Sequence, residues 1–183
     1  HYDVNPALIK RNFDNPKVIA QNTLEKTFLK AKDAQRYRDY PLAEKLLNEI
    51  LLEDPLHLEA RKELASLHYR NGIYDKSLAV ANIGLQIDAY HNGLNYTAGI
   101  AYMAQKDLIN AKEHFGWAAR SAAYRSSANT LLAQIHISEK KYNDAKHYND
   151  IALKFNSENI NALSQKAILF RIMGDKEEAL STL

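Results

Sequence analysis

The chain has 183 residues, of which 46% are apolar, with six glycines, four prolines and no cysteine. This is enough for one domain with a sizeable core, but too few turn-forming residues for a sandwich or barrel of many short strands. The 24 basic and 22 acidic residues alternate along the chain and leave a formal charge of +2, which argues against the broad positive field that nucleic-acid binding needs. Without cysteine there is no disulfide framework, thiolate metal site or cysteine nucleophile, and the compartment stays open.

Residues 1–23 are predicted to form a helical lead-in. Asn5-Pro6 and Asn15-Pro16 each pair a capping residue with a proline, which predicts a short helix and then a longer one that runs into the following region. The chain begins at His1 with neither methionine nor a leader, so we expect a longer gene product. No apolar run reaches the roughly 18 to 20 residues of a membrane span.

From residue 24 onward the sequence repeats with a period of 34. Small residues fall into two columns when the sequence is displaced against itself by one period. The first column is Ala31, Ala65, Gly99, Ala133 and Ala167, and the second is Ala43, Ser77, Ala111, Ala145 and Ala179. Small side chains let two helices approach closely, so the columns predict one helix pair in each repeat. The repeats are predicted at about 24–57, 58–91, 92–125, 126–159 and, truncated, 160–183.

Capping residues and helix breakers mark the predicted helix ends. Asp54-Pro55 is interpreted as a cap followed by the first residue of a helix, and Ser126 and Ser157 as the N-caps of the first helices in the fourth and fifth repeats. Gly72 and Gly174 are predicted to close first helices. The last repeat stops at Leu183 within its second helix, so we expect the natural chain to continue.

The third repeat carries the clearest family pattern, in Gly99, Tyr102, Ala111, Phe115 and Ala118. On these positions the chain resembles the tetratricopeptide repeat family over about residues 24–183. It departs from the family in lacking the first-helix tryptophan and in having the inter-repeat proline only at Pro55. The resemblance implies an all-α fold, an α-solenoid of about five helix-turn-helix repeats that forms a right-handed superhelix of about ten to eleven helices.

A second resemblance is carried by residues 87–136, which look like tetratricopeptide arrays attached to large β-rich domains in bacterial proteins of suspected carbohydrate processing. It implies that any chemistry belongs to a domain outside these residues.

The histidines and carboxylates do not form a catalytic pattern. His68 and His136 fall in the column of Tyr102, which faces a neighbouring helix, and no histidine pair has the i, i+4 spacing of two ligands on one helical face. There is also no glycine-rich phosphate loop, no G-x-S-x-G and no HExxH. The sequence therefore predicts a protein with no catalytic residue, metal or cofactor.

The first helices of such an array line a concave groove. The candidate binding residues on this face are Lys32, Lys62, Ser66, Tyr69, Arg70, Tyr96, Ile100, Met103, Gln134, Ile137 and Arg171. Their aromatic and aliphatic members would bury apolar side chains of a peptide, while the cations would be available to a carboxylate. In the alternative interpretation, the N-terminal segment of this chain or a following domain covers the same face.

Some family members clamp the C-terminal carboxylate of a chaperone with lysine and asparagine residues of first helices. Here Lys62 is present, but Ser66 and Ile100 stand where the asparagines are expected, so a co-chaperone role is disfavoured. The sequence predicts a scaffold that binds a protein, a peptide or another domain of its own chain, that does not bind nucleic acid and that has no membrane span. The alternative is an accessory repeat region of a larger extracytoplasmic bacterial enzyme that processes carbohydrate.

Overall fold

The computed structural model describes residues 16–174, with the side chains of residues 16–22 left out. All regular structure in this range is helical. The helices are α1 (Pro16–Arg36), α2 (Tyr40–Glu53), α3 (Leu58–Arg70), α4 (Tyr74–Ile87), α5 (Asn92–Ala104), α6 (Leu108–Ala118), α7 (Ala122–Ser138), α8 (Tyr142–Phe155) and α9 (Ile160–Met173). The predicted helix near Asn5-Pro6 and the end of the last repeat, with Ala179 and Leu183, lie outside the described residues.

The chain divides into two compact units, one ending at Ala60 and the other beginning at Arg61. In the first unit α1 packs against α2, and Ala31 and Ala43 of the two small columns are fully buried there. Helix α2 begins where the Asp39 carboxylate accepts the Leu42 N–H at 3.2 Å. Helix α1 continues without a break across the predicted boundary between residues 23 and 24.

In the second unit each helix from α4 to α9 packs against the next, and α7 also contacts α5 and α9. The first helices α5, α7 and α9 therefore lie side by side. Every described member of the two small columns in this unit is buried, which explains why the helices of each pair can approach closely. Gly99 is the extreme case, because a Cβ atom there would lie 2.6 Å from the Phe115 ring.

The second helices keep the 34-residue period, since they begin at Tyr40, Tyr74, Leu108 and Tyr142. None of the described helices has both the length and the apolar character that a membrane span requires.

The first helices keep the same period with one exception. Helices α3, α5 and α9 begin at Leu58, Asn92 and Ile160, but α7 begins at Ala122, four residues before the position that the period predicts. The predicted N-cap at Ser126 is therefore wrong, since Ser126 lies inside α7 and the cap is Ser121, whose hydroxyl accepts the Ala123 N–H.

Two further predicted helix starts are also wrong. Asp54 follows α2 and Pro55 lies in the turn, while α3 begins only at Leu58. The cap of α9 is Asn159 and not Ser157, because the Asn159 amide oxygen accepts the Ala162 N–H at 3.2 Å. The predicted stops are confirmed: Gly72 and Gly174 have φ angles of 75° and 90°, which favour glycine at a helix end.

The early start of α7 has a visible cause in the Arg125 side chain. Helix α6 stops at Ala118, and Arg125 donates to the carbonyl oxygens of Ala119 at 3.0 Å and Arg120 at 2.9 Å. These carbonyls would otherwise lack partners at the end of α6. The guanidinium also lies over the Phe155 ring, 4.4 Å from its centre. As a result, α6 ends three residues before the period predicts, and α7 begins four residues early, within the stretch that the period assigns to the turn between repeats.

Candidate functional site

Four of the predicted binding residues lie on α3. Lys62 is within 3.3 Å of the Glu63 carboxylate, and Arg70 is exposed. Tyr69 and Ser66 are half-buried, and burial raises the pKa of the Tyr69 phenol. A fifth residue, Lys32, belongs to the first unit, where its ammonium lies 5.9 Å from the centre of the Phe28 ring.

Tyr96 on α5 is the best-connected of the predicted residues. Its ring centre lies 5.1 Å from that of Tyr124 and 6.0 Å from that of Phe115. Burial is the largest cause that raises the pKa of the Tyr96 phenol, followed by the neighbouring phenols Tyr69 and Tyr124. Tyr96 therefore stays neutral, as a half-buried ring.

Ile100 and Met103 form the floor beneath this face. Both are half-buried and pack against the core cluster that contains Phe115 and Leu132. A change that puts a charge on either residue would therefore disturb the fold as well as the surface.

Two adjoining hollows lie along α7, and we call them together the α7 groove. The first, of about 330 Å³, is lined by Tyr96, Ser127, Thr130, Leu131, Asn156, Asn159 and Asn161. The second, of about 440 Å³, is lined by Thr130, Leu131, Gln134, Ile137, Asn161, Ser164, Gln165 and Ile168. Because Thr130, Leu131 and Asn161 line both hollows, the groove is continuous from Tyr96 on α5 to Ile168 on α9.

The structure thus brings three predicted residues, Tyr96, Gln134 and Ile137, into one groove. Arg171 is exposed on α9 and is not among the lining residues. No charged side chain lines either hollow within the described part of the chain.

Asn159 lines one wall of the groove, and both its amide nitrogen and its amide oxygen are hydrogen-bonded within the fold. Its amide nitrogen donates to Ser126 Oγ at 2.9 Å and to Thr130 Oγ1 at 3.1 Å, while its amide oxygen caps α9. This network fixes the start of α9 against α7. Gln134, Asn161 and Ser164 also contribute polar groups to the lining of the second hollow.

Sequence reasoning missed Tyr124, Ser127, Leu131, Asn161 and Gln165. The 34-residue frame placed the start of a helix at residue 126, so Tyr124 was assigned to a turn and Ser127 to a first turn of helix. The asparagines at 156, 159 and 161 were the available signal, because neutral amides clustered around a turn are well suited to binding polar groups.

Three further histidines make structural contacts. His57 and His91 cap α3 and α5, with Nδ1 accepting the N–H of Ala60 at 3.2 Å and of Leu94 at 3.1 Å. His114 is stacked on Tyr102 and within 2.8 Å of the Asn95 amide oxygen.

The helix pairs, the small columns and the groove on the first helices define a helical-repeat protein. Residues 28–92 match the tetratricopeptide repeat family. The match and the architecture together confirm the predicted resemblance to that family and the predicted all-α solenoid fold class. No curated protein matches this sequence.

Solved structures of similar fold include several bacterial proteins. The chain is similar to pilF of Pseudomonas aeruginosa, with a TM-score of 0.78 at 18% identity, covering 87% of this chain and 72% of that one. It is also similar to residues 41 to the end of MamA from Desulfovibrio magneticus, with a TM-score of 0.73 at 14% identity, covering 87% and 90%. It is similar as well to a tetratricopeptide repeat protein from Parabacteroides merdae, with a TM-score of 0.71 at 18% identity, covering 88% of this chain and 64% of that one.

These likenesses concern the fold. The predicted resemblance to arrays beside β-rich carbohydrate-processing domains stays a prediction.

Proposed function

We propose that this chain is a non-catalytic interaction module that binds an extended peptide segment in the α7 groove. The segment belongs to a partner protein or to another domain of the same chain. Helical repeat proteins of this class use the surface formed by successive repeats for binding, and the groove lies on three adjacent first helices.

The observation that carries the proposal is the continuity of the two hollows. The groove from Tyr96 to Ile168 is lined both by amides and hydroxyls and by the apolar groups of Leu131, Ile137 and Ile168. An extended peptide offers both kinds of group, because its main chain has hydrogen-bonding groups at every residue and its side chains point to alternate sides.

Nucleic acid fits this groove poorly, since no cation lines it among the described residues to neutralise phosphate. The alternative role, as an accessory region of a carbohydrate-processing enzyme, would use the same groove to hold a neighbouring domain.

The test compares two isoleucines of nearly equal exposure. Ile168 lines the groove and is 47% exposed, whereas Ile83 on α4 is 45% exposed and lines neither hollow. A phage-displayed library of random peptides would be selected on the immobilised chain, and the enriched sequences would be synthesised and titrated by calorimetry. We expect Ile168→Asp to weaken binding about tenfold or more, because it places a charge against an apolar contact, and Ile83→Asp to leave it within about twofold.

Circular dichroism of both variants would verify that the fold is kept. If no peptide is enriched, or if the two variants weaken binding equally, the α7 groove is not the binding site.

A further inference from the structure

A row of aromatic rings and guanidinium groups lies outside the α7 groove, close to the C-terminal ends of α4, α6 and α8. The Trp117 ring lies 4.8 Å from that of Tyr90, and the Arg120 guanidinium lies 4.1 Å from the centre of the Trp117 ring. Arg125 donates to the main-chain oxygen of Arg120 and covers the Phe155 ring. These contacts join the five residues into one continuous surface, which we call the arginine edge. None of the five lines either hollow of the groove.

The arginine edge is open to solvent and positively charged. Tyr90 and Phe155 are 65% and 51% exposed, and Arg120 is exposed as well. Among the described residues no carboxylate lies within ion-pair distance of the Arg120 or Arg125 guanidinium. Cations without a nearby opposite charge attract anionic groups, so this surface is complementary in charge to an acidic partner.

The aromatic rings restrain the guanidinium groups before any ligand arrives. A guanidinium is attracted to the face of an aromatic ring, and its planar fork of N–H groups can donate two parallel bonds to one carboxylate. No acceptor among the described residues is bonded to the Arg120 guanidinium, so the whole fork is available. Arg125 uses Nε and Nη2 for main-chain carbonyls and keeps Nη1 for a ligand.

Nucleic acid fits the arginine edge less well than an acidic peptide. A single strand stacks its bases on open aromatic faces and needs cations along its backbone. Here the arginines already lie over Trp117 and Phe155, and the Tyr90 ring also packs against Trp117. A peptide carboxylate needs only the N–H groups of the guanidinium, which these stacked contacts leave free.

We infer that the arginine edge binds an acidic peptide segment of a partner protein, with one Asp or Glu carboxylate on the Arg120 fork and another on Arg125 Nη1. This second surface goes beyond the peptide-binding groove and does not depend on it, because the two share no lining residue.

Trp117 supplies a direct readout, since it is the only tryptophan in the sequence. Its emission would be followed while the chain is titrated with a peptide of about ten glutamates at low salt. We expect a saturable change with half-saturation below about 1 mM. Raising NaCl from about 20 to 300 mM should weaken binding about fivefold or more, because salt screens the charges. A neutral peptide of glycine and serine of the same length should cause no change.

Three arginine variants separate a specific fork from general positive charge. Arg120→Gln should weaken binding about fivefold or more, because a carboxylate loses its two donors. Arg120→Lys keeps the charge but not the planar fork, so it should weaken binding about threefold. Arg171→Gln is the matched control, since Arg171 is exposed on α9 and its loss lowers the net charge equally; its affinity should stay within about twofold of the parent.

The fold should survive these changes, because the Arg120 side chain is exposed and lies only against Trp117 among the described residues. Circular dichroism would verify this. Parent-like binding by Arg120→Gln, equal losses in Arg120→Gln and Arg171→Gln, or no change in emission up to about 10 mM glutamate peptide would overturn the inference. An oligouridylate or an oligogalacturonate that binds more tightly than the glutamate peptide, with the same dependence on Arg120, would overturn the choice of a peptide as the ligand.

Discussion

The imidazole of His136 lies parallel to the phenol ring of Tyr148, with ring centres 5.1 Å apart and planes 10° from parallel. One repeat earlier Tyr102 and His114 make the same contact at 5.3 Å and 15°. His136 occupies the position of Tyr102 and Tyr148 that of His114, so the two ring types have exchanged sides between repeats. The contact between first and second helix is thereby kept although neither position keeps its residue.

The stacked pair should contribute to stability beyond the burial of its members. A double-mutant cycle of His136→Ala and Tyr148→Ala, followed by urea unfolding, is expected to give a coupling of about 0.5–1.5 kcal/mol. A cycle between His136 and the exposed Ile109 of α6 should give none. Additive effects of His136→Ala and Tyr148→Ala would mean that the two rings touch without stabilising each other.

Acid should weaken the fold through His136 before the carboxylates titrate. Burial is the main cause that lowers the pKa of His136 from its ordinary 6.5, and Lys112 adds to it, outweighing Glu139 and Asp144. Just below pH 6.5 the unfolded chain then binds more protons than the folded chain. The contribution of neutral His136 to the free energy of unfolding is therefore complete above pH 6.5 and is lost as the pH falls through the lowered pKa.

The urea midpoint should therefore fall between about pH 7.5 and 5, and fall less in His136→Phe, which keeps a ring against Tyr148. An identical pH dependence in the variant and the parent would show that His136 is not the group responsible.

Two helical glycines should respond to alanine with opposite signs. A Cβ at Gly99 would lie 2.6 Å from the ring of the fully buried Phe115, so Gly99→Ala is expected to destabilise the chain by about 1–3 kcal/mol. A Cβ at Gly116 on α6 meets nothing within 4 Å, so Gly116→Ala should stabilise it by about 0.5–1 kcal/mol. Thermal unfolding measures both, and a stabilising Gly99→Ala would contradict the packing described for the third repeat.

Much of the array could be predicted because its determinants are local and repeated. The small columns at Ala65 and Ser77 and their equivalents recur every 34 residues, and close helix packing requires a small side chain at each crossing. The helix stops at Gly72 and Gly174 follow from the same kind of local rule. Tyr96, Gln134 and Ile137 could be chosen for the groove because helical spacing places them on one face.

Other features were missed although their determinants are local. The start of α7 at Ala122 follows from the Ser121 cap and from the bonds of Arg125 to the carbonyls of Ala119 and Arg120, which break the 34-residue period. The caps at His57 and His91 were missed because histidine is not among the residues that favour this position. Tertiary packing alone decided how the groove amides are used, since the Asn159 nitrogen donates to Ser126 Oγ and Thr130 Oγ1, which lie 33 and 29 residues earlier in the chain. Sequence determined which helices pair, because small side chains act at their own crossings. Tertiary structure decided which polar groups of the groove are hydrogen-bonded within the fold, because their partners are distant in sequence.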